Sequence, residues 1–440
     1  MNASDPESRS ITIDTKDASQ SVDFAERLPI ELIHHIIAHL DDRVEDYYCG
    51  NCRPIPSGLA ACSLVCRAWS HICRARIFRT VSLKYGEDVS HRRLSFLYST
   101  APHLCEIIRN LSICLGGGPS TSEDWIPHFT GRFTNLSELR LHPEFITGPI
   151  LGVLSDFGIM SLLPTLRLKR LALDSWSVDE AVLDLIPILS ACSNTLESLS
   201  LEIYEVYRQA EGSDSVLPPS VCLNSLRNLN MISSVCTLPP TNLIRCPNLE
   251  SLTVGYTYGD SPWDIPSWIP VSLSELILHG APTLDFPDFV TAIRPSILRI
   301  TISGYSHPLF DIMTWIGGCI GHLPDETTLR QLAIVINGRY PSHRSLYPEV
   351  ADYAPLCSAI LPLFSRGALE KISLNIDVYQ KGIAGTIAAS RAVGAVEEAF
   401  APILEEVSVN EFQCITCDHG KIDALLVKNM VETFRDEHFV

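Results

Sequence analysis

Three apolar slots in the spacing Leu-x-x-Leu-x-Leu return about a dozen times along this chain of 440 residues. The clearest copies are Leu136/Leu139/Leu141, Leu168/Leu171/Leu173, Leu196/Leu199/Leu201, Leu226/Leu229/Met231, Leu249/Leu252/Val254 and Leu273/Leu276/Leu278. Looser copies precede them at Phe78/Val81/Leu83 and Ile108/Leu111/Ile113. Others follow at Ile297/Ile300/Ile302, Leu329/Leu332/Ile334, Leu369/Ile372/Leu374 and Leu404/Val407/Val409. The middle anchors advance by 30, 28, 32, 28, 30, 23, 24, 24, 32, 40 and 35 residues. A short strand recurring at such intervals implies a solenoid, because one unit cannot bury its apolar face alone and must stack on its neighbours.

Helical patterns fill several spacers, at Val178 to Leu189, Phe286 to Ile293, Leu309 to Ile316, Ala354 to Phe364 and Ile387 to Phe400. A strand following each helix suits parallel crossover connections. The expected fold is therefore α/β, with an inner parallel sheet. Strand neighbours of the buried anchors point the other way. That alternation selects Arg140, His142, Arg170, Asp174, Asn228, Asn230, Glu275 and His279 as outward-facing candidates for binding a target protein. A solvated sheet face explains their polarity equally well. A helical pattern at 421–435, with Ile422, Leu425, Leu426, Met430 and Phe434 at near-helical steps, suits a cap on the last repeat.

Charge and composition limit the partners. The chain has 33 basic and 51 acidic residues, a net charge of −18, and such a field repels nucleic acid. No apolar run approaches the roughly 18–20 residues of a membrane-spanning helix, and the first residues lack a signal-peptide pattern. A cytoplasmic or nuclear protein is expected, in which the 15 scattered cysteines are small buried hydrophobes. Residues 1–24 are poor in large apolar groups and are expected to form a disordered tail.

Little in the chain points to chemistry. Cys49-x-x-Cys52 and Cys414/Cys417/His419 have partial metal-ligand spacing, yet neither group supplies four donors. His35 and His39 sit four apart on a helical pattern, without the glutamate of a metalloprotease motif between them. Gly116 to Ser120 lacks the lysine of a phosphate-binding loop, and no Gly-x-Ser-x-Gly elbow occurs. The expectation is a protein with no catalytic residue, metal or cofactor.

The N-terminal part is more specific. Residues 28–40 begin Leu-Pro-Ile-Glu-Leu, with Pro29 suited to a first helical turn and Leu32, Ile33, Ile36, Ile37 and Leu40 on one stripe. After a polar stretch, Cys62, Val65, Trp69 and Ile72 recur at helical steps through 59–73. With Leu-Val-Cys-Arg-Ala-Trp at 64–69 and Ile77-Phe78 at the end, this segment resembles the F-box family, although the link over 43–57 is longer than usual there. The resemblance implies docking on a Skp-type adaptor, with Leu28, Pro29, Ile33, Ile36, Val65 and Trp69 as contact candidates. Together with the repeats and the composition it gives a domain order of tail (1–24), F-box-like helices (25–80) and an irregular leucine-rich-repeat-like solenoid (81–440) with its cap around 421–435. Such chains commonly serve as substrate receptors of Skp-cullin-F-box ubiquitin ligases. The other reading is a repeat scaffold without a ligase link, whose helices cap the solenoid.

Overall fold

The computed structural model describes residues 28–40, 57–65, 67–84, 88–116, 132–144, 154–155, 159–178, 181–206, 221–233, 244–256, 269–270, 273–280, 286–303, 309–321, 323, 329–338, 350–366, 368–378, 394–395, 398–401 and 412–416. The chain divides into two compact units, Met1–Leu136 and Ser137–Val440. The expected tail, the link over 43–56, Cys49, Cys52, Cys417, His419 and the cap at 421–435 lie outside the described residues.

The first unit opens with α1 (Ile30–Leu40), α2 (Ser57–Cys62) and α3 (Arg67–Ile77). Ile33 and Ile37 of α1 meet Leu59 of α2 and Trp69, Ile72 and Cys73 of α3 in one small core. The continuous helix expected over 59–73 is broken. The amide of Leu64 bonds the carbonyl of Ala61, that of Val65 bonds Cys62, and Ser63 Oγ donates to the carbonyl of Ala60 at 2.7 Å. These i→i+3 bonds tighten the chain into a turn, which carries Val65 off the face shared by Trp69 and Ile72. Next, β1 (Thr80–Lys84) and β2 (Asn110–Gly116) pair in parallel, with Val81 opposite Leu111 as their anchor spacing requires. Between them runs α4 (Asp88–Ser95), which continues into a π-helical turn at Phe96–Thr100. Arg132 fastens this turn by donating to the carbonyl of Tyr98 at 2.8 Å, its guanidinium lying 5.2 Å from the Tyr98 ring centre.

The second unit is organised by one parallel sheet. Its strands are β3 (Glu138–Glu144), β4 (Arg170–Val178), β5 (Ser198–Val206), β7 (Asn228–Ser233), β9 (Ser251–Tyr256), β10 (Glu275–Gly280), β11 (Ile297–Ser303), β12 (Gln331–Gly338), β13 (Lys371–Val378) and β14 (Phe412–Thr416), side by side in chain order. β6 (Val221–Cys222) and β8 (Ile244–Arg245) form a separate parallel pair. Every neighbouring pair in the larger sheet is parallel.

Register aligns the repeated slots into continuous ladders. One runs Leu139, Leu171, Leu199, Leu229, Leu252, Leu276, Leu298, Leu332, Ile372, and all nine are buried. Its companion, two residues on, runs Leu141, Leu173, Leu201, Met231, Val254, Leu278, Ile300, Ile334, Leu374, also buried. Full burial of each such side chain stabilises by about 1.5–3 kcal/mol. Two repeats differ from the sequence reading. In β11 the middle anchor is Leu298 rather than Ile300, because buried Pro295 fills the first slot and hides the Leu-rich pattern. A two-residue shift preserves the facing of every side chain. The last strand is Phe412–Thr416, with Phe412 opposite Ile372, while Leu404, Val407 and Val409 lie outside the described residues.

Helices occupy four expected spacers as α6 (Ala181–Cys192), α7 (Phe286–Ile293), α8 (Leu309–Gly321) and α9 (Val350–Ser365), with a single turn, α5 (Ile159–Leu162), before β4. None of the described helices is long and apolar enough to cross a membrane. The tightest helix contact joins α8 to α9. A Cβ on Gly317 would stand 2.9 Å from the carbonyl oxygen of Pro355, whereas one on Gly321 would meet only the Ala359 methyl at 3.9 Å. Gly317→Ala must therefore separate the two backbones. We expect it to destabilise the chain by about 1–3 kcal/mol despite its better helix propensity. Gly321→Ala should leave the urea midpoint unchanged or slightly raised, and equal midpoints for the two variants would contradict this packing.

Candidate functional site

In a three-helix module, an inward stripe makes the core and any further apolar side chains remain at the surface. α1 carries more apolar residues than one face can bury. Ile33 and Ile37 are buried, while Ile30, Leu32 and Ile36 are 56%, 50% and 38% exposed. The turn after α2 adds Leu64 at 86% and Val65 at 48%. Five large apolar side chains are thus exposed among the described residues of a small module, and exposed apolar patches are a common feature of protein-contact surfaces.

The six contact candidates therefore divide. Pro29, Ile36 and Val65 are accessible. Leu28 packs partly against the core, and Ile33 and Trp69 lie inside it, 3% and 8% exposed. Ile33 and Trp69, named as contact candidates from the resemblance, sit at the centre of the packing between α1 and α3. Ile30, Leu32 and Leu64, which are exposed, were not among the six candidates, although Leu32 was placed on the apolar stripe. The excess of apolar residues around α1 was the available signal for the first two, and Leu64 becomes visible only once the turn at Ser63 is known.

The outward face of the sheet is polar but largely engaged with itself. Arg140 Nε lies 2.5 Å from Asp174 Oδ2, Arg170 lies 3.5 Å from Glu138, and Arg299 lies 2.7 Å from Glu275. Asn230 Nδ2 donates to Ser200 Oγ at 3.0 Å, and Asn228 is exposed beside it in the same strand. His142 is half-buried, and burial lowers the pKa of half-buried His279, favouring its neutral form. Gly255 is bare because Ile232 of the neighbouring strand lies over it, where a Cβ would stand 2.8 Å from Ile232 Cγ1. Asp174 departs from expectation, being 5% exposed although it belongs to the outward set.

A second charged row runs along the leading edge of the sheet. Lys169 pairs with Glu197 at 2.7 Å, Arg227 with Glu250, and Arg330 with Glu370 at 3.8 Å. Each pair joins consecutive repeats. The bond from Lys169 holds the Glu197 carboxyl below its ordinary pKa.

Among the described residues no group of three or more His, Cys, Asp or Glu could hold a metal ion. Burial pushes the thiols of Cys192 and Cys357 up to about 11 and those of Cys246 and Cys319 up to about 12. At neutral pH these are protonated packing groups and poor nucleophiles.

With this geometry in view, comparison with known families is informative at the N-terminal end. The F-box-like family model matches residues 25–84, which span α1, α2, α3 and β1. These residues form an F-box-like domain, and such domains in general bind Skp-type adaptors. No curated protein matches the chain.

Asp174 supplies a prediction for the sheet face. Burial raises its pKa to about 6, Arg140 opposes the rise and Glu202 adds to it. Its folded pKa exceeds the unfolded value, so the native state holds a proton that the unfolded chain releases. Stability from this group is full below about pH 4 and is lost as pH rises through about 6. Asp174→Asn should gain on wild type by on the order of 2–3 kcal/mol between pH 4 and pH 7, measured by urea unfolding. A variant that loses ground over that interval would show that the Arg140 ion pair outweighs burial.

Proposed function

We propose that this chain is a non-enzymatic substrate receptor of a Skp-cullin-F-box ubiquitin ligase. The F-box-like domain holds the Skp-type adaptor, and the second unit, an irregular leucine-rich-repeat solenoid, holds a protein to be ubiquitinated. The observation that carries this reading is the coincidence of the family match over 25–84 with five exposed apolar side chains, three on α1 and two in the turn after α2. A domain that merely capped a solenoid would have no use for Leu64 and Val65 standing in solvent. The solenoid reading rests on the two apolar ladders and on strands laid side by side in chain order. The receptor contributes position, raising the effective concentration of a bound target near the conjugating enzyme delivered by the cullin.

Target recognition falls on the outward sheet face, which includes Asn228, Asn230, His142, His279, Arg170 and Glu275, because a row of parallel strands offers many side chains to one ligand at once. A cytoplasmic or nuclear setting follows from that ligase role.

Val65→Asp is the direct test of docking. In the free chain Val65 stands 48% exposed in a turn, so an aspartate there should leave the melting temperature within about 2 °C of wild type. Against the adaptor, an unpaired carboxylate enters an apolar contact at a cost of several kcal/mol, and capture should fall by about 100-fold or more. Undiminished capture would remove the turn from the interface. Failure of the wild-type chain to capture the adaptor at all would leave the scaffold reading in its place.

A further inference from the structure

The charge of the segment 67–116 runs against that of the whole chain. Residues 67–116 contain eight Lys and Arg against three Asp and Glu, within a protein of net charge −18. The excess is ordered. On α3, exposed Arg67, His71 and Arg74 recur at steps of four and three, one helix face about 10 Å long. Neither α2, α3 nor β1 contains a carboxylate. The row continues beyond the helix. The amide of Phe78 bonds the carbonyl of Arg74, and the carbonyl of Arg79 accepts both the Arg109 and Asn110 amides at 2.9 and 3.0 Å. Arg79 and Arg109, both exposed, are thus neighbours along the backbone, and the Arg109 guanidinium donates to the Asn135 carbonyl at 3.3 Å.

The corresponding edge of the second unit does the opposite, alternating sign so that Lys169, Arg227 and Arg330 each meet a glutamate. Among the described residues no carboxylate pairs with Arg67, Arg74 or Arg79. Helix electrostatics accounts for a cation in the last turn of α3, which favours Arg74, but not for Arg67 in the first turn, where the positive end of the helix disfavours it. Arg67 also lies two residues beyond Val65, so the basic row starts at the border of the exposed apolar turn, within about 7 Å along the chain.

We propose that the Arg67–Arg74–Arg79 row is the electrostatic rim of the adaptor interface, and that its occupant is an acidic ridge on the Skp-type adaptor beside the groove receiving Leu64 and Val65. This rests on the docking role proposed above and adds the chemistry of the partner. A single-sign rim steers encounter, fixes orientation and makes association salt-dependent.

The test is adaptor affinity of the full-length chain, wild type against Arg67→Gln/Arg74→Gln/Arg79→Gln, measured between 50 and 500 mM NaCl with melting temperatures in parallel. The wild type should weaken as salt rises. The triple variant should bind about tenfold more weakly at low salt, with a shallower salt dependence and an unchanged melting temperature. Equal affinities and equal salt slopes overturn the rim while leaving adaptor docking intact. Tighter capture by the triple variant overturns it in favour of an acidic segment of this chain occupying the row. A single-stranded oligonucleotide bound by wild type and lost in the variant, with adaptor affinity unmoved, reassigns the row to nucleic acid. No capture by the wild-type chain removes both the docking role and its rim.

Discussion

The second unit depends on stacking of identical apolar slots. A parallel strand cannot fold back on its neighbour through a short hairpin, so each repeat must send the chain out through a spacer and bring it home in register. What restores register after anchor-to-anchor steps as different as 22 and 40 residues is the pair of ladders through Leu139 and Leu141, since a one-residue slip turns every leucine outward. Irregular spacers are tolerated because they hang outside this constraint. Alternating charges at Lys169/Glu197, Arg227/Glu250 and Arg330/Glu370 repeat the register on the surface, where exposed pairs add little stability but oppose misalignment through like-charge contact.

The first unit obeys a different limit. Its helical core is a handful of side chains around Ile37, Leu59 and Cys73, too small to bury the apolar residues that α1 and the Ser63 turn supply. The surplus stays outside, beside a basic row that the rest of the molecule does not match. Surface and charge meet at Val65 and Arg67, so the same short segment of chain ends a helix, presents an apolar knob and begins the cationic stripe. Function in the second unit has a less marked signature, because Arg140, Arg170 and Arg299 on the outward face already hold carboxylates of their own sheet.

Much of this was legible in the sequence where one interaction dominates. Strands β3, β4, β5, β7, β9 and β10 follow from their leucines, and α7 matches its apolar spacing from end to end. The failures have local causes. Pro295 occupies a slot that leucine fills elsewhere, so β11 looked shifted by two residues. The break between α2 and α3 depends on the i→i+3 bonds and the Ser63 hydroxyl contact, which periodicity does not register. Trp69 looked like a contact residue because a helical stripe does not say which partner it meets, and the small core claims it first. Asp174 looked solvated from strand alternation, whereas its burial depends on what covers the sheet.

Hydrogen exchange of the full chain with and without a Skp-type adaptor tests the central claim most directly. The account predicts new protection in α1, in the turn at 63–65 and along α3, with the strands from β3 to β13 unchanged. Protection confined to the sheet strands, or none in 28–77, would contradict it.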